Sequence, residues 1–288
     1  MFRNSVRSFS VAVPRSNKSP RFVMTLKEAS KPALEKSRPI TKPIGLESPV
    51  LLNHKLGDTY SLTNIKQELF SSEAKERRQK KLDYEIRHSP FYETKSFRNT
   101  NGKIFTPPIS FFKKDKALHF PDFISSTLDG QSRSLYEILA DKVSIVRLYS
   151  TVSGEQCSHS YFKVDGKDYA QGDYGVFEEN HPQSQIIDIN IPQNWMKGFL
   201  LGLSKSNIKK TISPQRHNKY FILPDHIFQY NLREKLMCDN MCSGYIYLLD
   251  HNGKLRWATS GYANDEELAL MWKCVRGLEK ELCTLKDR

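Results

Sequence analysis

The sequence predicts an α/β protein: a mixed sheet flanked by helices, preceded by a basic, partly disordered N-terminal arm and one charged helix. Three observations predict it. Short β-branched runs alternate with helical runs between residues 103 and 288. The last two strand-like runs are joined by Asp250-His251-Asn252-Gly253, a turn that folds one back on the other. An amphipathic run of helix length then closes the chain.

Along the domain, Pro107-Pro108 break the chain before Ile109 and Phe111-Phe112. Phe120-Pro121-Asp122-Phe123 follows, and Asp129-Gly130 is a hairpin signal. Ser134 is placed to cap a short helix whose apolar side is Leu135, Ile138 and Leu139. Val143 to Tyr149 is a strand, residues 158–184 read as irregular, and Ile186 to Ile191 is a second strand stopped by Pro192. Asn194 is positioned to cap a helix from Trp195 to about Lys210. Tyr220 to Leu223 is a short strand, and residues 227–237 read as a helix. Tyr245–Leu249 and Lys254–Thr259 form the closing hairpin. The final helix, from Asp265 to Leu282, aligns Leu268, Met271, Trp272, Val275, Leu278 and Leu282 on its buried side.

Four regions are expected: a presequence at 1–30, a Pro/Lys-rich linker at 31–60, a charged helical arm at 61–102 and the domain at 103–288. The net charge of +12 is concentrated at the front. Residues 1–120 hold 24 Lys and Arg against 11 Asp and Glu, and the rest hold 20 against 21. No acidic residue occurs before Glu28, and Phe2, Val6, Phe9 and Val13 align on one helical face among serines and arginines. That pattern is an organellar transit peptide, with the mitochondrial matrix as destination. Pro14, Pro20, Pro32, Pro39, Pro43 and Pro49 then rule out a long helix, so this stretch reads as a linker that supplies no core. From Leu62 to His88 a helical pattern carries Glu73–Arg77, Glu76–Lys80 and Asp83–Arg87 pairs, with Pro90 expected to end it. Aromatic residues are not interleaved with these cations, which argues against a nucleic-acid helix. The most apolar window, Trp195 to Leu203, is too short to cross a bilayer.

The order Phe-Pro-Asp-Phe, Leu128-Asp129-Gly130, capped helix, strand, Leu223-Pro224-Asp225 and Leu249-Asp250-His251-Asn252-Gly253 resembles a peroxiredoxin-type thioredoxin fold over about 180 residues. A closer resemblance rests on the presequence, on Phe111-Phe112-Lys113-Lys114-Asp115-Lys116-Ala117-Leu118 leading to Phe120-Pro121, and on Trp257-Ala258-Thr259-Ser260-Gly261. These are similar to the fungal mitochondrial ATP synthase assembly factor family known as subunit ten. The resemblance implies a chaperone on the matrix face of the inner membrane. It would assist the proton-channel subunit (subunit a) in joining the proteolipid ring and be absent from the finished enzyme. That family carries no catalytic signature.

The residues themselves are poor in redox equipment. A thiol peroxidase needs a cysteine activated at a helix N-terminus beside a Thr hydroxyl and an Arg. Here the strand runs into Ser150-Thr151-Val152-Ser153-Gly154-Glu155-Gln156-Cys157, without the expected proline and with Glu155 close to the thiol. Ser160 stands where a resolving cysteine would be, and Cys242-Ser243-Gly244 stand where a thioredoxin keeps its cis-proline. Cys157 is the one candidate reactive thiol. Cys238 and Cys242 lack a second pair of zinc ligands and read as packing residues, as do Cys274 and Cys283. No Gly-rich phosphate loop occurs, and residues 121–288 are nearly neutral; no cofactor, small-molecule substrate or nucleic acid is expected. Lys197, Lys205, Lys209 and Lys210 are the candidate membrane or partner contacts. The leading expectation is a non-enzymatic assembly factor peripheral to the mitochondrial inner membrane. The alternatives are a peroxiredoxin-like thiol oxidoreductase using Cys157 and a basic nucleic-acid-binding protein.

Overall fold

A computed structural model describes residues 32–52, 90–192, 206–224 and 227–286. Two short strands come first, β1 (Arg38–Pro39) and β2 (Leu51–Leu52), then helix α1 (Pro90–Thr100). β3 (Phe105–Thr106), β4 (Leu118–His119), β5 (Asp122–Thr127) and β6 (Ser132–Ser134) lead to α2 (Leu135–Leu139). The centre holds β7 (Val143–Tyr149), α3 (Val152–His159), the hairpin β8 (Lys163–Val164) and β9 (Lys167–Asp168), α4 (Tyr174–Asn180) and β10 (Ser184–Asn190). A turn of helix at residues 206–211, β11 (Tyr220–Ile222), α5 (Tyr230–Lys235), β12 (Tyr245–Leu249), β13 (Lys254–Ser260) and α6 (Asp265–Lys286) complete it.

The main sheet runs in the order β2-β5-β11-β10-β7-β12-β13-β4, with β6 on β5. β7, β10 and β11 are parallel, and β5 and β12 flank them antiparallel. This is the peroxiredoxin-type thioredoxin topology expected. Central strands buried on both faces read as continuous apolar runs, and every residue of β7 is buried. Successive side chains go to opposite layers. Val146, Ile187, Tyr247 and Leu249 enter one core with Phe105, Phe120, Phe123 and Phe221. Ile145, Ile186, Ile246 and Leu248 enter the other, where Trp257 meets Met271, Trp272, Val275 and Leu278 of α6.

Local chemistry fixes the boundaries. The Ser134 hydroxyl accepts the Tyr136 amide and Glu137 returns to the Ser134 amide, a capping box that starts α2. Gly253 turns the closing hairpin with φ +73°, and an added Cβ would lie 2.4 Å from the Tyr136 ring, so both conformation and space require glycine. Asp265, Glu266 and Glu267 sit in the first turn of α6, where the helix dipole favours negative charge.

Several expectations are corrected. The stretch expected to be a linker without core is, over 32–52, part of the domain. Ile40 and Leu46 are buried, and Leu34, Ile44 and Leu52 pack on the same cluster. Pro39 forbids a helix but not an edge strand. The amides on either side of it, Arg38 and Ile40, donate to Ile104 and Thr106 at 3.1 Å. Leu62 to His88, expected as a charged helix, lies outside the described residues. Pro90 opens a helix rather than ending one, because the first helical position needs no amide donor. Residues 158–184 are not irregular. They hold the end of α3, the β8–β9 hairpin turning at Asp165-Gly166 with positive φ at both, and α4. The helix expected over 227–237 is shorter, Tyr230–Lys235.

Candidate functional site

The place where a redox-active relative of this fold would act is the turn between β7 and α3. Thr151 caps α3, its hydroxyl accepting the Gly154 amide at 3.1 Å. The same hydroxyl donates to the Met241 carbonyl, and Ser153 donates to the Cys242 carbonyl at 2.8 Å. The first turn of α3 is thereby stitched to the loop that precedes β12. Backbone closes the remaining gap. An added Cβ on Gly244 would lie 1.9 Å from the Gly154 carbonyl oxygen, and one on Gly154 would lie 2.5 Å from that of Ser243. No cleft separates the two segments.

Cys157 lies in the second turn of α3, beyond the reach of the helix dipole's strongest field, and is fully buried. Gly102 lies against its sulfur, and the Ser243 hydroxyl ties down the Gly102 carbonyl at 2.5 Å. Burial pushes the thiol up to about 11, against weaker opposing pulls from the Gly244 amide, the Tyr262 hydroxyl and Lys103. Lys103 itself is held by Glu267, by the Tyr161 hydroxyl at 2.9 Å and by the Tyr262 carbonyl at 2.7 Å. Burial lowers its pKa against the pull of Glu267. Its charge is committed to that carboxylate more than to the thiol. The arrangement keeps Cys157 protonated and covered.

A second polar cluster lies one strand away. Asp188 on β10 faces Arg147 on β7 in register, at 2.8 Å, and its other oxygen takes Arg216. Arg216 also donates to the Ala170 carbonyl, tying the loop after β9 to the sheet. All three charges are buried. Burial raises Glu155 nearby in spite of Arg147, and burial beside Asp188 pushes Tyr220 up to about 12. A cavity of about 100 Å³ adjoins the cluster, lined by Arg147, Glu155, Gln171, Asn190, Thr211 and Tyr220. It has room for ordered water on these polar groups.

Of the lysines expected to contact a membrane or partner, Lys209 and Lys210 are exposed on the helical turn at 206–211. Lys197 and Lys205 lie outside the described residues, so the four are not shown as one surface. Cys238 is fully buried, and burial pushes it up to about 12. It and Cys242, half-buried, lie in the irregular segment before β12, not on one helical face. Two clusters escaped the sequence reading. Arg147 and Asp188 carried a usable signal, since each is a lone charge inside a β-branched run, opposite in sign and destined for adjacent strands. Lys103, Tyr161 and Glu267 carried none, being scattered over more than 160 positions.

Residues 24–278 match the family described as ATP10 protein. The chain belongs to the ATP10 family. The "Mitochondrial ATPase complex subunit ATP10" of Candida glabrata is 35% identical over 91% of this chain and 92% of its own. That of Saccharomyces cerevisiae is 33% identical over 90% and 93%. Among solved structures, a DsbF homologue from Corynebacterium diphtheriae superposes on 60% of this chain and 93% of its own with a TM-score of 0.38 and 13% identity. The ATP10 family is the mitochondrial ATP synthase assembly factor family that the sequence resembles. In this member of the family the turn between β7 and α3 is closed by the Gly154–Gly244 backbone contact, and Cys157 is buried behind it.

Proposed function

We propose that this protein is a non-enzymatic assembly factor for the membrane sector of mitochondrial ATP synthase. It acts on the matrix side of the inner membrane, peripheral to it. It binds subunit a transiently, promotes its joining with the proteolipid ring, and leaves before the enzyme is complete. Three facts support the reading. The chain belongs to the ATP10 family, whose members in Eremothecium gossypii, Candida glabrata and Saccharomyces cerevisiae are named as mitochondrial ATPase complex subunits. No described helix is long and apolar enough to cross a membrane. The observation that carries the non-enzymatic half is the closed, protonated Cys157 beneath Gly102.

Photo-crosslinking in isolated mitochondria tests it. With membrane-sector subunits newly made and labelled, subunit a is expected to crosslink to this protein early and to lose that crosslink as the mature complex forms. Assembly at the normal rate in mitochondria lacking the protein would refute the reading. The thiol-oxidoreductase alternative requires hydroperoxide consumption that disappears in a Cys157→Ser variant.

A further inference from the structure

The loop between β3 and β4 has a design that neither the thiol site nor the client-binding proposal uses. Ile109 at its tip is 91% exposed. A lone exposed isoleucine is ordinary on a protein surface, but this one is held in place from both sides. Pro107-Pro108 precede it, and the Pro108 carbonyl accepts the Trp257 indole N–H at 3.1 Å. Two residues after it, Phe111 lies against Gly277 of α6, where an added Cβ would come 2.6 Å from the ring. The Phe112 amide then donates to the Arg256 carbonyl at 2.7 Å. The loop cannot fold its isoleucine inward.

Cations surround this tip. Lys113, Lys114 and Lys116 continue the loop, and Lys114 reaches the neighbourhood of Glu281 on α6. The helix against which the loop lies exposes Lys273, Arg276 and Lys280. Lys273 and Lys280 flank Gly277, the residue that seats Phe111, by about one turn on each side. The acids of that part of α6 are engaged elsewhere. Glu279 takes His181 and Ser184, and Glu281 takes the buried Arg256 at 2.8 Å. Among the described residues of the loop and this helical stretch, six cations still outnumber the three acids Asp115, Glu279 and Glu281.

We propose that this face, Ile109 with the lysines of the loop and α6, docks on the surface of an anionic bilayer. The isoleucine enters the boundary between headgroups and acyl chains while the cations meet lipid phosphates. The inference rests on the peripheral-membrane part of the function proposed above and gives that contact a location. It lies by β13 and β4, at the opposite end of the sheet from the β5–β6 hairpin.

The test uses the full chain and vesicles of phosphatidylcholine with or without phosphatidylglycerol. Cysteine with an environment-sensitive fluorophore replaces Ile109 or, as control, the exposed Gln131 in the β5–β6 turn, in a Cys242→Ser, Cys283→Ser background. Nitroxide-bearing lipid is expected to quench the probe at 109 in anionic vesicles and to leave it unquenched in neutral ones, with no quenching at 131 in either. Each cation near such a surface is worth roughly five-fold in partitioning, so losing three is worth on the order of 100-fold, and Lys113→Glu, Lys116→Glu and Lys273→Glu together should weaken binding by at least that much. All three are exposed, and an unchanged melting curve verifies folding. If the chain sediments with anionic vesicles while the probe at 109 stays unquenched and the triple variant binds as well, this face is wrong and peripheral association stands. If the unaltered chain does not sediment with them at all, both fall. Binding indifferent to lipid charge also overturns the proposal.

Discussion

Alkylation of Cys157 in the native chain is expected to be far slower than that of an open thiol, and the structure sets the scale. An ordinary cysteine near 8.5 is about one-tenth thiolate at pH 7.5, whereas one pushed up to about 11 is ionised in roughly one molecule in 3,000. Thiolate supply alone therefore slows reaction by about 300-fold. Coverage by Gly102 adds to that factor, because the fully buried sulfur has no surface for a reagent to approach. The assay is iodoacetamide treatment of the full chain at pH 7.5, with each cysteine followed by peptide mass spectrometry. Exposed Cys283 and half-buried Cys242 should be modified first, and Cys157 only after several hundred times longer. Its rate should climb about tenfold per pH unit while the fold persists, as expected of a thiol titrating far above neutrality. Modification of Cys157 within tenfold of Cys283, or a rate that levels off near neutral pH, would refute the closed-site argument and revive the thiol-enzyme reading.

Gly244→Ala should cost about 3 kcal/mol or more in urea unfolding, since its Cβ would meet the immovable Gly154 carbonyl; a loss under 1 kcal/mol would show that the two segments can part. Asp188→Asn strips the shared counter-charge from Arg147 and Arg216 and should lower stability by about 3–5 kcal/mol, read by the same titration. Stability should also fall as pH rises above 9. The native chain holds protons on Cys157, Cys238 and Cys274 where an unfolded chain has released them, so their contribution is whole below the ordinary thiol pKa and is lost towards pH 11–12. Each thiol adds about 1.4 kcal/mol per pH unit in that window. Replacing all three by alanine should flatten the slope, and an unchanged slope would count against their buried protonation.

Most of the domain was legible because its signals are local. Ser134 with Glu137, Asp129-Gly130 and Asp250 to Gly253 each act within a few residues, and the structure places a cap or turn at every one. The apolar stripe of the last helix was equally plain, and Met271, Trp272, Val275, Leu278 and Leu282 are buried. What escaped depends on partners distant in sequence. Six prolines between 14 and 49 do argue against helix, yet whether such a segment is solvated or laid on an edge is decided by Ile104 and Thr106, whose carbonyls accept the amides of Pro39's neighbours. Pro90 was ambiguous for a related reason. A proline fits the first position of a helix and blocks any later one, so it can mark a start as well as a stop. The candidate thiol was visible, but its state was not. Glu155, two residues away, suggested an electrostatic cause for low reactivity, whereas the larger cause is burial beneath Gly102, more than fifty positions earlier.

The same contacts that cover this thiol also occupy the polar groups at the head of α3. First-turn amides of a helix are what a reactive thiolate draws on. Here the Gly154 amide is given to the Thr151 hydroxyl, and the hydroxyls of Thr151 and Ser153 are both spent on carbonyls of the loop before β12. Val152, the first helical residue, is 71% exposed and chemically inert. An entering substrate would have to displace these bonds and prise apart Gly154 and Gly244, whose contact is backbone against backbone. Placing a cysteine at Val152 or Ser153 alone would therefore put sulfur at the N-terminal end of the helix without opening a path to it. Such a variant should gain an alkylatable thiol and still consume hydroperoxide no faster than free cysteine. Turnover well above that level would mean that the loop opens readily, and that the contacts with the 241–244 segment are a gate instead of a wall.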